Sequence, residues 1–138
     1  MADVTIPTGK PTGLNATTRV FIAGEVIESG EVVYQDASDA GKVKLADADT
    51  DAASRAVGIA LCESYGNQPV VVATSGQLVY TGGSPFTQGL VYCVSTNAGA
   101  MCPEADIGSG DYKTVLGVAR SSGVFDLNIN ATGVTENA

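Results

Sequence analysis

Short strings in the first half of the sequence return, in the same order, in the second. Gly24-x5-Gly30 returns 59 residues on as Gly83-x5-Gly89, and Val33-Tyr34 returns as Val91-Tyr92 after 58. Ala40-Gly41 is followed by Ala98-Gly99 at 58, Ala48-Asp49 by Ala105-Asp106 at 57, and Ala73-Thr74 by Ala131-Thr132 at 58. The longest match pairs Val57-Gly-Ile-Ala60 with Leu116-Gly-Val-Ala119 at an offset of 59. One such pair means little, but an ordered series that drifts by a single residue implies two copies of one unit, residues 19–76 and 77–133. A unit of about 57 residues has a marginal core by itself. If it is a sheet, it also has open edges. Packing two sheets face to face, or closing them into a barrel, answers both problems.

The local pattern is that of strands. Runs rich in Val, Ile, Leu and Tyr alternate with clusters of Gly, Asn, Asp and Ser, and helical periodicity is nearly absent. Strands are expected at 19–23, 32–35, 42–45, 56–61, 69–74, 77–80, 90–94, 114–119 and 124–130. Phe125-Asp-Leu-Asn-Ile-Asn130 alternates cleanly and puts Phe125, Leu127 and Ile129 on one face. Val57-Gly-Ile-Ala-Leu61 is continuously apolar, as in a strand covered on both sides. Residues 46–55 read as a loop, because Asp and Thr are poor helix interiors. The expectation is an all-β, compact β-barrel or β-sandwich of two duplicated units. Residues 19–138 form that single β domain, and residues 1–18, with Pro7, Gly9, Pro11 and Gly13, form an extended N-terminal arm.

Composition narrows the function. With 7 Lys+Arg against 15 Asp+Glu, a formal charge of -8 argues against nucleic acid as a partner. The lack of His removes the commonest general base near neutral pH and the commonest metal ligand. No Gly-x-Ser-x-Gly, His-Glu-x-x-His or phosphate-loop string occurs, so no enzyme, catalytic residue, cofactor or metal is expected. Asp47-Ala-Asp-Thr-Asp51 opens like a calcium loop but has Ala52 where the turn glycine belongs and Gly58 where a bidentate Glu belongs; it reads as a solvated acidic loop. The start, Met1-Ala-Asp-Val-Thr-Ile-Pro7, lacks the basic and apolar stretches of a secretory signal, and no apolar run approaches the ~20 residues of a membrane helix. A soluble chain made in a reducing host cytoplasm is expected, not a membrane protein.

Three cysteines do not make a disulfide framework. In Val91-Tyr-Cys-Val-Ser-Thr-Asn-Ala-Gly-Ala-Met-Cys102 a turn at Asn97 places Cys93 and Cys102 opposite each other as free thiols; Gln35 and Lys44 hold the matching places in the first copy. Cys62 reads as a small buried hydrophobe, and Tyr34 and Tyr92 as packing residues.

Gly24-Glu-Val-Ile-Glu-Ser-Gly-Glu-Val-Val-Tyr-Gln-Asp36, Gly41-Lys-Val-Lys-Leu-Ala-Asp-Ala-Asp49, Ala56-Val-Gly-Ile-Ala60 and Gln68-Pro-Val-Val-Val-Ala-Thr-Ser-Gly76 resemble capsid decoration (cement) proteins of tailed bacteriophages. The resemblance covers roughly residues 20–133 and implies a structural virion protein that binds the outside of a phage head and stabilises contacts between major capsid subunits. It also implies self-association, with a trimer as the expected ring. Similar strings occur in head fibres, so the alternative is a virion fibre or adhesion-type module that binds carbohydrate or a host surface. The absence of Trp and a total of eight aromatics (Tyr 5, Phe 3) disfavour a sugar platform. Within the arm, Val4 and Ile6 are expected to add to a partner's strand edge and Lys10 to meet acidic neighbours.

Overall fold

The structure, a computed structural model, describes residues 3–4, 11–13, 15–80 and 85–135. Its strands are β1 (Pro11–Gly13), β2 (Thr17–Ile22), β3 (Val32–Asp36), β4 (Lys42–Leu45), β5 (Ala56–Ala60), β6 (Pro69–Tyr80), β7 (Val91–Val94), β8 (Met101–Pro103), β9 (Tyr112–Ala119) and β10 (Val124–Thr135). One short helix, α1 (Asp51–Ser54), precedes β5, and single 3-10 turns follow β3 and β8. The protein is all-β. Its main sheet, in the order β4-β3-β5-β6-β10-β9-β7-β8, is antiparallel and curls into a half-barrel.

That order reads the same way from both ends. A hairpin, an inner strand and a long strand on one side meet the same three parts in reverse at the β6–β10 pair, where Val79 faces Val124 and Ser75 faces Asn128. The curl brings the outer parts together. The turn after β7 is bonded to the first half through Val32 N to Gly99 O (2.9 Å), Gly99 N to Ala46 O (2.8 Å) and Ala48 N to Ser95 O (3.0 Å). Inside lies the main core, where Val32, Ile59 and Ala73 meet Leu78, Tyr92, Leu116, Phe125 and Leu127. Phe86 stacks on Phe125 with ring centroids 5.1 Å apart and meets Tyr80 and Tyr92 edge-on. A second, mostly aliphatic cluster of Phe21, Ile27, Val33, Val43, Val70 and Val72 fills the other face of the first half. Ile59 and Ala60 therefore point into different cores, which is why the 56–61 string is continuously apolar. The expected alternation in β10 is present, with Phe125 and Leu127 buried and Ile129 packed against them.

Several expectations need correction. The segments 69–74 and 77–80 are one strand, β6, because Gly76 at φ +101 carries the ladder past the backbone of Asn15 and Ala16 without a break. Residues 46–55 are not all loop: Thr50 Oγ1 accepts from Ala53 N and starts α1, and Ser54 is fully buried. Within the stretch assigned to an arm, Pro11–Gly13 pair with Tyr80–Leu78, and Thr17 and Thr18 belong to β2. Pro11 is tolerated there because it lies on an outer strand. The repeat register also shifts by one. Val33 faces Gly58 and Tyr92 faces Gly117, with a bulge next in each ladder, so Val33 corresponds in place to Tyr92, and Tyr34, not Gln35, to Cys93.

Candidate interaction face

β1 and β2 run along one flank of β6. Val72 and Ala73 pair with Arg19 and Thr18 on that side and with Ala60 and Ile59 of β5 on the other. Leu78 and Val79 likewise pair with Gly13 and Thr12 on one side and with Phe125 and Val124 on the other. β2 is thus an outer strand, and among the described residues its free edge is met only at its end, by the Ala23–Val43 bridge and the Gly24 N to Val43 O bond (2.8 Å).

The side chains on this strand are unusual for an edge. Phe21 is buried, with the Arg19 guanidinium 4.9 Å from its ring centroid. Val20 and Ile22 alternate to the other face and are 66% and 43% exposed. Their cross-strand neighbours are Val71, 37% exposed, and Pro69, also exposed. Val26 and Tyr65 extend the apolar surface on the two turns joined by the Ile27–Ser64 bridge. These turns also carry Glu25, Glu28, Glu31 and Glu63. The Tyr65 hydroxyl donates to Glu63 Oε1 at 3.1 Å, and that bond, with the carboxylate charge, pushes the phenol's pKa up. Among these glutamates, Glu63 and Glu28 lie close enough to Tyr65 for their charge to act on it, whereas Glu25 turns away to accept from Leu45 N of β4.

The β4 edge is built the opposite way. Lys44 Nζ sits 2.9 Å from Asp36 Oδ2 and 3.2 Å from Asp39 Oδ2, and Lys42 Nζ is 3.8 Å from Asp39 Oδ1. Bonds from Ser38, then Lys44, hold the Asp36 carboxyl at about 2. Lysines on an edge strand discourage a further strand from pairing there. A cleft of about 380 Å³ beside this hairpin is lined by Tyr34, Asp36, Ser38 and Arg55 among others. Its charged groups are already engaged: Asp36 accepts from Ser38 Oγ at 2.6 Å and pairs with Lys44 at 2.9 Å, and Arg55 pairs with Asp51 at 2.8 Å.

Of the three residues expected to bind a partner, Ile6 and Lys10 lie outside the described residues. Val4 is half-buried and packs against the main core, and its N–H donates to Met101 O of β8 at 2.8 Å. Asp3 beside it accepts from Ser95 Oγ at 2.6 Å and Asn97 Nδ2 at 2.5 Å. The strand edge that Val4 meets is therefore on its own chain. Val20 and Ile22 were missed as candidates, although the signal was present: residues 19–23 are apolar at both parities, so both faces of that strand carry hydrophobes. Asp47 Oδ1 accepts from Asp49 N at 2.8 Å, and its charge raises the pKa of the Asp49 carboxyl; no group of side chains suited to hold a metal is found among the described residues. No helix among them is long and apolar enough to cross a membrane. No protein-family model, curated protein or solved structure matches the chain.

Proposed function

We propose that this protein is a structural component of a virion that binds the outer surface of a phage head and holds neighbouring major capsid subunits together. The observation that carries the reading is the outer edge of β2, which among the described residues pairs with β6 on one side only, with Val20, Ile22, Pro69 and Val71 exposed on its face. Exposed apolar side chains on a strand edge suit strand addition by a partner, where backbone bonds give affinity and the side chains give register. Glu28 and Glu63 beside Tyr65 suit a partner with a basic side chain at that end of the apolar strip. A net charge of -8 keeps many copies soluble and away from packaged DNA. Self-association into a closed ring, with a trimer first, belongs to the same reading. So does a docking contribution from Ile6 and Lys10 of the N-terminal segment, which Val4 ties to β8 of its own chain.

The test is co-sedimentation of purified protein with heads that lack it. Wild type is expected to pellet with them near a fixed stoichiometry. Val20→Asp and Ile22→Asp are expected to stay folded, with melting temperatures within a few degrees of wild type, and to lose most of that binding. Wild-type protein that stays in the supernatant overturns the function. Full binding by both folded variants removes the β2 edge from it.

A further inference from the structure

We propose that Cys93 and Cys102 form an oxidisable pair, a modification site at which a small disulfide oxidant such as oxidised glutathione installs an intrachain cross-link across the β7–β8 hairpin. The two residues face each other in the ladder, Cys93 opposite Cys102. The Ser95 N to Ala100 O bond (3.1 Å) marks the pair two steps on as hydrogen-bonded. Bonded and non-bonded pairs alternate, so Cys93 and Cys102 are also a bonded pair, and Tyr92–Pro103 falls where Pro needs no N–H. Cα atoms of such a pair lie about 5.5 Å apart, inside the range that a disulfide spans, but the Cβ atoms start at about 5.5 Å and must close to about 4.5 Å, so the hairpin tightens locally as the bond forms. Facing residues share one side of the sheet, so both thiols point into the same small pocket, closed by Ile107 and Val115.

Neither cysteine is in a disulfide in this structure, and both are fully buried. Burial first, then the neighbouring Cys93, pushes the Cys102 thiol up to about 12. The Cys102 thiol is thus protonated at rest, both sulfurs are shielded, and reaction waits on local opening of the hairpin. The chemistry balances in two exchanges. One thiolate attacks the glutathione disulfide, forming a mixed disulfide and releasing one glutathione thiol. The second thiolate attacks the protein sulfur of that mixed disulfide, forms the Cys93–Cys102 bond and releases the second glutathione. Two protein thiols are oxidised and one glutathione disulfide is reduced.

The sequence supplies its own assay. Met101 is one of two methionines and lies between the two cysteines. Cyanogen bromide cleavage after it separates Cys93 from Cys102, so the halves stay joined only if a disulfide bridges them. Cys62→Ser protein, oxidised while folded with oxidised glutathione, is expected to lose two hydrogens in mass and both free thiols. Its fragments are expected to stay joined until reductant is added, and its melting temperature to rise by about 5 °C. If Cys62→Ser does not fold, wild-type protein is used, and further cleavage at Glu63 separates Cys62 from Cys93. Fragments that part with free thiols, or that carry only glutathione adducts, overturn the proposal. The result is independent of what the protein binds.

Discussion

The hairpins β3–β4 and β7–β8 occupy matching ends of the sheet but solve the problem of an end differently. Where Tyr34 faces Lys44 in one, Cys93 faces Cys102 in the other. The first is wet: Lys44 reaches out to Asp36 and Asp39, and charge guards the edge. The second is dry: Ile107 and Val115 close over the cysteines, and Asp3 and Val4 lie along β8 through bonds to Ser95, Asn97 and Met101. A backbone unit does not dictate the chemistry of its outer strand. Whatever covers that strand decides whether it carries ions or small hydrophobes.

The largest contrast is in the cores. Phe125 is fully buried among Phe86 and Tyr92 in the cluster shared by both halves, whereas Val43 is buried in the first half's cluster, where all the buried side chains but Phe21 are aliphatic. Phe125→Ala is expected to cost about 3–5 kcal/mol, a large part of the stability of a small domain. Val43→Ala is expected to cost about 2 kcal/mol. Urea unfolding checks both, as a fall in midpoint at unchanged slope. Similar losses at the two sites would mean that the aromatic cluster is not the common core of the halves.

A closer comparison uses the two glycines at matching places. A Cβ on Gly58 would run into the Ala73 carbonyl of β6, and one on Gly117 into the Asp126 carbonyl of β10. In both cases backbone is in the way, and at Gly58 the buried Val72 Cγ1 methyl as well. Gly58→Ala and Gly117→Ala are each expected to cost about 2–3 kcal/mol, read again from urea midpoints. Tolerance at one glycine and not the other would break the equivalence of β5 and β9 that the repeated string suggests. Superposing residues 19–76 on 77–133 tests the duplication itself.

These glycines show what the sequence made legible. Strings that must satisfy a backbone constraint, such as Val57-Gly-Ile-Ala60 and Leu116-Gly-Val-Ala119, fell in inner strands with the same partner geometry. The facing of Cys93 and Cys102 followed from the turn between them. Register elsewhere did not follow, because Val33-Tyr34 and Val91-Tyr92 look alike while each ladder bulges at a point that side-chain identity does not mark. The pairing of Pro11–Gly13 was hidden because Pro and Gly advertise a turn, and only the neighbouring length of β6 turns them into a strand. The β2 face was hidden for a related reason: Val20 and Phe21 are equally apolar, and only the packing shows that one is covered and the other is not.

The wet hairpin should be the acid-sensitive one. The Asp36 carboxyl is depressed from 3.8 to about 2 by bonds from Ser38 and Lys44, so its contribution is present above the unfolded value and is lost as pH falls through the folded one. Wild type is expected to lose melting temperature between pH 4 and pH 2, and Asp36→Asn to start lower at pH 6 and fall less steeply across that window. Thermal melts at several pH values measure both. An unchanged slope in Asp36→Asn would assign the acid sensitivity to other carboxylates, and the ion-paired edge would then be electrostatically idle.

The smallest contrast concerns the segments that follow the two hairpins. In the first half Thr50 caps α1, its Oγ1 accepting from Ala53 N at 3.3 Å, and the buried Ser54 Oγ donates to Asp51 O at 2.7 Å. In the second half Glu104–Asp106 make only a 3-10 turn, led by Pro103 with no side-chain cap bond. Two causes can account for the helix: the cap, which the second half lacks, or the packing of Ser54, which holds the turn whatever precedes it. Thr50→Ala separates them. If the cap decides, the substitution costs about 1 kcal/mol, or roughly 3 °C in melting temperature for a chain of this size, and amide exchange at Ala53 and Ser54 speeds up. If packing decides, the melting temperature stays within a degree and the Ser54 amide remains protected, because Ser54 N still donates to Thr50 O at 3.0 Å through the backbone, and only Ala53, whose N–H donated to the lost Oγ1, exchanges faster. The long 3.3 Å cap bond against the 2.7 Å Ser54 bond makes the cap the weaker partner, yet it is the feature that differs between the halves, so a measurable loss is the expected result.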